Sequence, residues 1–201
     1  MIKALLEGQI KAAINNHRPL LIALVGSNGS GKSTFYQQML SDYELPLINP
    51  DEIGKQIRGH YLAADDPISY AAMQIADAAR HQLVQQRQSF IMETVLSDTQ
   101  GSKLSFFREA IEAGYYLLLI YIRINTAEIS AARVMQRVLA GGHDVADEKL
   151  MSRFARTQRN AAEALGLASF ALLLDNSSVE TPFAYIQAWQ VGKPLDASQT
   201  L

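Results

Sequence analysis

The chain has 201 residues, 48% of them hydrophobic, with 18 Lys and Arg against 20 Asp and Glu for a formal net charge of -2, and no cysteine. A chain of this length buries about 70% of the surface its unfolded form exposes, so one domain over residues 1–201 needs no covalent staple, and disulfide frameworks and Cys-zinc sites are excluded. The near-neutral balance argues against a general nucleic-acid or membrane-surface binder, whose affinity comes from a basic face. The longest apolar run, 115–122, falls well short of the roughly 18 residues a membrane span needs. Residues 1–14 carry Glu7 and lack the apolar centre of a signal peptide. A soluble, cytoplasmic protein is expected.

In chain order the pattern predicts a helix over 2–16, a strand at 20–25, a helix at 34–40 and a strand at 45–49. There follow a helix at 68–84, a strand at 89–93, a helix at 103–113 stopped by Gly114, and a long apolar strand at 115–124. Helices at 127–139 and 147–165 come next, the second stopped by Gly166, then a strand at 168–174. Pro182 suits the first turn of a last helix after Thr181, and the tail 192–201 is small, polar and expected to be mobile. Strands reading as continuous apolar runs between helices predict an α/β fold of three layers, with a mostly parallel five-stranded sheet flanked by helices.

Between the first strand and the helix at 34–40 lies GSNGSGKS, Gly26 to Ser33, which fits G-x-x-x-x-G-K-[ST] in the required strand, loop, helix order. Glycines let backbone N–H groups curl around phosphate oxygens, and the following helix start adds donors and a favourable dipole. Gly26, Ser27, Asn28, Gly29, Ser30, Gly31, Lys32, Ser33 and Thr34 are therefore the expected ATP-binding set. Lys32 reaches the terminal phosphates and Ser33 holds Mg2+. Asp51-Glu52-Ile53-Gly54 spells D-x-x-G, but no N-K-x-D and no LSGGQ-like stretch occurs, which disfavours a GTP switch and a transport ATPase and leaves a small kinase.

Ligands of such sheets bind beyond the strands' C-terminal ends. The second strand ends in Asn49-Pro50-Asp51-Glu52. Asp51 either complements the dipole of a helix that Asn49 caps, or accepts a hydrogen bond from a substrate hydroxyl and orients it. The third ends in Glu93-Thr94, placed to bind Mg2+ through water or a sugar hydroxyl, or else a polar helix entry. Arg133 and Arg137 lie four apart, and Arg153, Arg156 and Arg159 form a second stripe. Arg137 and Arg153 are first choices for catalytic phosphate contacts because they bracket Gly141-Gly142-His143, a loop suited to a lid. The other arginines, Arg133 and Arg156 among them, have solvated ion pairs as the alternative. Asp175-Asn176-Ser177 is either a turn or a lining of the nucleobase side. Trp189, in the pattern Phe183, Ile186, Trp189, is expected in the core.

Together GSNGSGKS, INPDEI (48–53), METVLS (92–97), RVMQRVLAGGHDV (133–145) and LLLDNSS (172–178) resemble the zeta-toxin family of P-loop kinases, in particular a short stand-alone branch. The resemblance implies ATP- and Mg2+-dependent phosphorylation of UDP-N-acetylglucosamine on a sugar hydroxyl. It implies Asp51 at the base position, Glu93 and Thr94 at substrate contacts, and lid arginines on the transferred phosphate, the second of these being Arg153 or Arg156. It brings in an antitoxin protein as a partner. Rival expectations are a kinase of another sugar, nucleotide-sugar or nucleic-acid-end acceptor, and a non-catalytic ATP-binding switch.

Overall fold

The structure, a computed structural model, describes residues 1–58, 65–139 and 147–196. Apolar runs become the central strands: β1 (Leu20–Val25), β3 (Phe90–Thr94), β4 (Tyr116–Arg123) and β5 (Phe170–Asp175). A short β2 (Leu47–Ile48) completes a parallel group ordered β2-β3-β1-β4-β5. Every residue of β1 is buried, because the sheet is covered on both faces. Leu20, Ile22 and Leu24 pack with Leu6, Ile10 and Ala13 of α1 (Ile2–Asn15) and Phe35 of α2 (Lys32–Met39). Leu21, Ala23 and Val25 face the opposite layer, where α4 (Asp65–Gln85), α5 (Ser102–Glu112) and α7 (Asp147–Leu167) contribute Val84, Phe107, Ala161 and Ala164. The expected three layers are present.

Two strands beyond the expected five are found past β5. β6 (Ala184–Gln190) runs antiparallel to β5, and β7 (Lys193–Pro194) antiparallel to β6. The predicted last helix after Thr181 is therefore a strand, and Lys193 and Pro194 of the expected mobile tail pair with it. Val191 and Gly192 between them have φ of 49° and 72°, the two positive values of a tight hairpin turn. Phe183 is buried with its ring edge-on to Phe35, centroids 5.2 Å apart, an anchor that fits the apolar spacing to strand as well as to helix. Trp189 packs against the core half-buried. Gly114 follows α5 with φ 89°, as a stop should, whereas Gly166 lies inside α7, which continues to Leu167. Among the described residues no helix is long and apolar enough to cross a membrane.

Candidate nucleotide and acceptor site

Two loops leave the C-terminal ends of β1 and β3 side by side, since Val25 pairs with Thr94. The first is the Gly26–Gly31 turn into α2. Gly31 stands at the helix N-cap with φ 95°, no side chain caps the helix, and no acidic residue occupies its first turn. Its leading N–H groups and dipole are thus left for an anion. A β-carbon on Gly26 would sit 2.4 Å from the Ile122 carbonyl oxygen, and one on Gly31 2.5 Å from Asn176 Nδ2. We expect Gly31→Ala, which also forces an unfavourable left-handed backbone, to lose about 1–3 kcal/mol of stability and most ATP affinity. Thermal unfolding and nucleotide titration check this.

Five consecutive loop carbonyls are held by side chains. The Lys32 ammonium donates to the Gly26 and Ser27 oxygens at 2.9 and 3.1 Å. Ser130 Oγ donates to Asn28 O at 2.6 Å, Arg133 Nη1 to Gly29 O at 3.4 Å, and Asn176 Nδ2 to Ser30 O at 2.8 Å. Ser130 and Arg133 belong to α6 (Ala127–Leu139). Arg133 also reaches Ser177 O at 3.4 Å, so it fastens the loop to the end of β5.

Glu93, 7% exposed, is the hub of the site. Its Oε1 lies 3.8 Å from Lys32 Nζ, and its Oε2 accepts from Ser33 Oγ at 3.3 Å and Asn49 Nδ2 at 3.0 Å. Burial pushes its pKa up in spite of Lys32, and Asp51 adds to the rise. Burial likewise pushes Lys32 down, Glu93 and Asp51 oppose the fall, and the Arg137 charge adds to it. The charges of Asp51 and Arg137 both act on Lys32, and that of Asp51 also acts on Glu93. Hydroxyl and carboxylate oxygens beside the anion cup suit Mg2+, which takes its remaining ligands from water and phosphate. Among the described residues no group of three or more His, Cys, Asp or Glu forms a cage for a metal.

Asn49 serves both sides, because its Oδ1 accepts the Asp51 N–H at 2.9 Å while its amide nitrogen fixes Glu93. The cap was legible from Asn49-Pro50; the link to Glu93 was not. Asp51 itself is exposed in the first turn of α3 (Pro50–Arg58). Thr94 Oγ1 accepts the Leu96 N–H at 3.0 Å, and so shapes the next loop.

That loop is clasped by one face of α7. Val95 O accepts from Thr157 Oγ1 at 2.8 Å, Ser97 O from Arg156 Nε at 2.8 Å, and Leu96 O and Asp98 O from Asn160 Nδ2 at 3.0 and 3.1 Å. The grip holds buried Leu96 at φ 57°, a conformation a branched side chain resists. Arg156 therefore has a structural engagement, while Arg153, half-buried, lies one helical turn earlier on the same helix. Arg137 follows Arg133 by one turn of α6 and is exposed. Gly141, Gly142 and His143 lie outside the described residues.

Arg80 went unrecognised in the sequence, as did Ser130, Thr157 and Asn160. Arg80 of α4, 1% exposed, donates to the Glu93 backbone oxygen at 3.1 Å and to Asp77 at 2.8 Å, and Lys103 joins Asp77 at 2.6 Å. Only the Asp77–Arg80 spacing along a helix hinted at a pair, and that is ordinarily a surface feature.

The zeta toxin family model matches residues 4–170. An uncharacterized protein of Haemophilus influenzae is 35% identical over 129 residues, 64% of this chain and 88% of that protein. The crystal structure of AvrRxo1-ORF1:-ORF2 with ATP has a similar fold, with a TM-score of 0.71 and 17% identity over 90% of this chain. This chain spans 61% of that one. A structure of the PezAT chromosomal toxin-antitoxin system of Streptococcus pneumoniae matches with a TM-score of 0.57 and 15% identity, covering 86% of this chain and 75% of that one.

Proposed function

Because the chain belongs to the zeta toxin family, we propose that it is an ATP-dependent phosphotransferase acting on a hydroxyl of a small molecule, with UDP-N-acetylglucosamine the leading acceptor. The observation that carries the proposal is the convergence of Lys32, Ser33, Asn49 and Glu93 at the mouth of the phosphate loop, with the Asp51 charge close enough to act on both Lys32 and Glu93. ATP and Mg2+ are the proposed cofactors.

In this proposal the loop amides and Lys32 take the β- and γ-phosphates, and Ser33 with Glu93 would hold Mg2+. When bound, Mg2+ would supply positive charge that offsets the phosphate charge. The acceptor hydroxyl oxygen forms the new bond to the γ-phosphorus as the bond to the β,γ-bridging oxygen breaks. ADP departs, and the hydroxyl proton goes to the Asp51 carboxylate. Arg137 and Arg153 neutralise charge spreading over the transferred group. Thr94, beside Glu93, lines the acceptor side.

The test is ADP formation from ATP and Mg2+ across a panel of acceptors. UDP-N-acetylglucosamine should accelerate it most. Faster turnover with another sugar or a nucleic-acid end would change the acceptor but keep the reaction, whereas equal rates with and without every acceptor would leave an ATPase or a binding switch. An antitoxin protein is the proposed partner. It is supported by family membership and checked by growth arrest on expression that Lys32→Ala relieves.

A further inference from the structure

We infer that Asn176, with Ser130 as its counterpart on α6, is a positioning residue that holds the phosphate loop in its anion-binding shape before nucleotide arrives. The inference deepens the proposed ATP site and rests on it.

Asn176 lies just past β5, 146 residues from its partner, and is 8% exposed. Its orientation follows from its neighbours. Oδ1 accepts the Phe183 N–H at 3.3 Å, so Nδ2 is the atom that meets Ser30 O at 2.8 Å. Both ends of the amide are thereby engaged with the main chain. Phe183 in turn packs edge-on against Phe35 of α2, so the amide bridges the start of β6 to the loop that begins α2. The backbone N–H that aims Asn176 belongs to Phe183, the residue that leads into β6.

In a planar trans peptide the carbonyl and the next N–H point opposite ways. Ser130 draws the Asn28 carbonyl toward α6, and Asn176 draws the Ser30 carbonyl toward β5. The N–H groups of Gly29 and Gly31 are then turned away from α6 and from the end of β5, respectively. Without these anchors the glycines at φ 70° and 95° have broad freedom, and ordering them would fall to the ligand. Asn176 therefore acts on the phosphate end of any ligand and not on its nucleoside.

The test is displacement of a fluorescent ATP analogue by ATP and by inorganic tripolyphosphate. Asn176→Ala should weaken both by the same factor, about tenfold for a lost buried hydrogen bond and the order it imposes, and Ser130→Ala should do so to a smaller extent. The control is Tyr115→Phe. The Tyr115 hydroxyl lies 2.8 and 2.7 Å from the Leu83 and Gln88 carbonyls, remote from the loop at the opposite end of the sheet, so this change should lower the unfolding midpoint without altering either affinity. Unchanged affinities in both folded loop variants would overturn the inference, as would weakened ATP binding with intact tripolyphosphate binding. A wild-type protein that binds neither ligand would overturn the ATP site itself and this inference with it.

Discussion

Asp51→Asn is expected to lower phosphoryl transfer by about a hundredfold or more while leaving ATP affinity within a few-fold, the loss typical of removing a positioned base. The side chain stays the same size, and the helix cap runs through the Asp51 backbone N–H and Asn49, which the substitution does not touch. What disappears is the charge that raises both Lys32 and Glu93 in pKa and that would receive the hydroxyl proton. A purely dipole-complementing Asp51 predicts a different pair of results: transfer at the wild-type rate, and stability lower by about 0.3–1 kcal/mol. Single-turnover transfer and chemical unfolding, measured on one preparation, separate the two.

Glu93→Gln is expected to cost about a hundredfold in transfer at saturating ATP, because the proposed Mg2+ site would lose the carboxylate that lies beside Ser33. It should also change the shape of the pH profile. Burial holds the wild-type carboxyl above its ordinary value of 4.5. As pH falls through that raised value Glu93 takes up a proton and loses the charge that would hold Mg2+, so an acid limb of kcat/KM for MgATP should lie above 4.5, and Glu93→Gln should abolish that limb. Stability moves the opposite way. A folded-state pKa above the unfolded one means that the folded protein binds the proton more tightly. The contribution of Glu93 then favours folding below the unfolded pKa and is lost as pH rises through the folded one. In thermal unfolding without nucleotide, wild type should lose stability relative to Glu93→Gln over that rise. A wild-type acid limb in the ordinary carboxylate range, or parallel stability curves, would remove Glu93 from the centre of the site.

Periodicity made the parallel group readable, because strands buried on both faces must be apolar throughout, and Leu20–Val25 and Tyr116–Arg123 are nearly so. It failed at β6, where Phe183, Ile186 and Trp189 satisfy a helical spacing. Only Phe183 among them is fully buried, whereas the strand also buries Ala188, which gave no signal. Gly166 looked like a stop because a glycine after apolar helical residues usually is one. The turn from β1 into α2 was legible, since the glycines at 26 and 31 are dictated by close approach of their neighbours. The side chains that hold this turn and the neighbouring 95–98 loop were not. Ser130 and Asn176 on the first, and Thr157 and Asn160 on the second, bond to carbonyls far away in sequence, and no local pattern distinguishes such a residue from a helix-surface or turn polar group. Arg80 was hidden for the same reason, its partner being the main chain of Glu93.

The most direct measurement is phosphorus NMR of the protein with ATP, Mg2+ and UDP-N-acetylglucosamine. The expected result is loss of the γ-phosphate resonance matched by a new sugar phosphomonoester, absent in Asp51→Asn. Release of inorganic phosphate alone, at one rate with or without the sugar nucleotide and any other acceptor hydroxyl, would contradict phosphoryl transfer at this site.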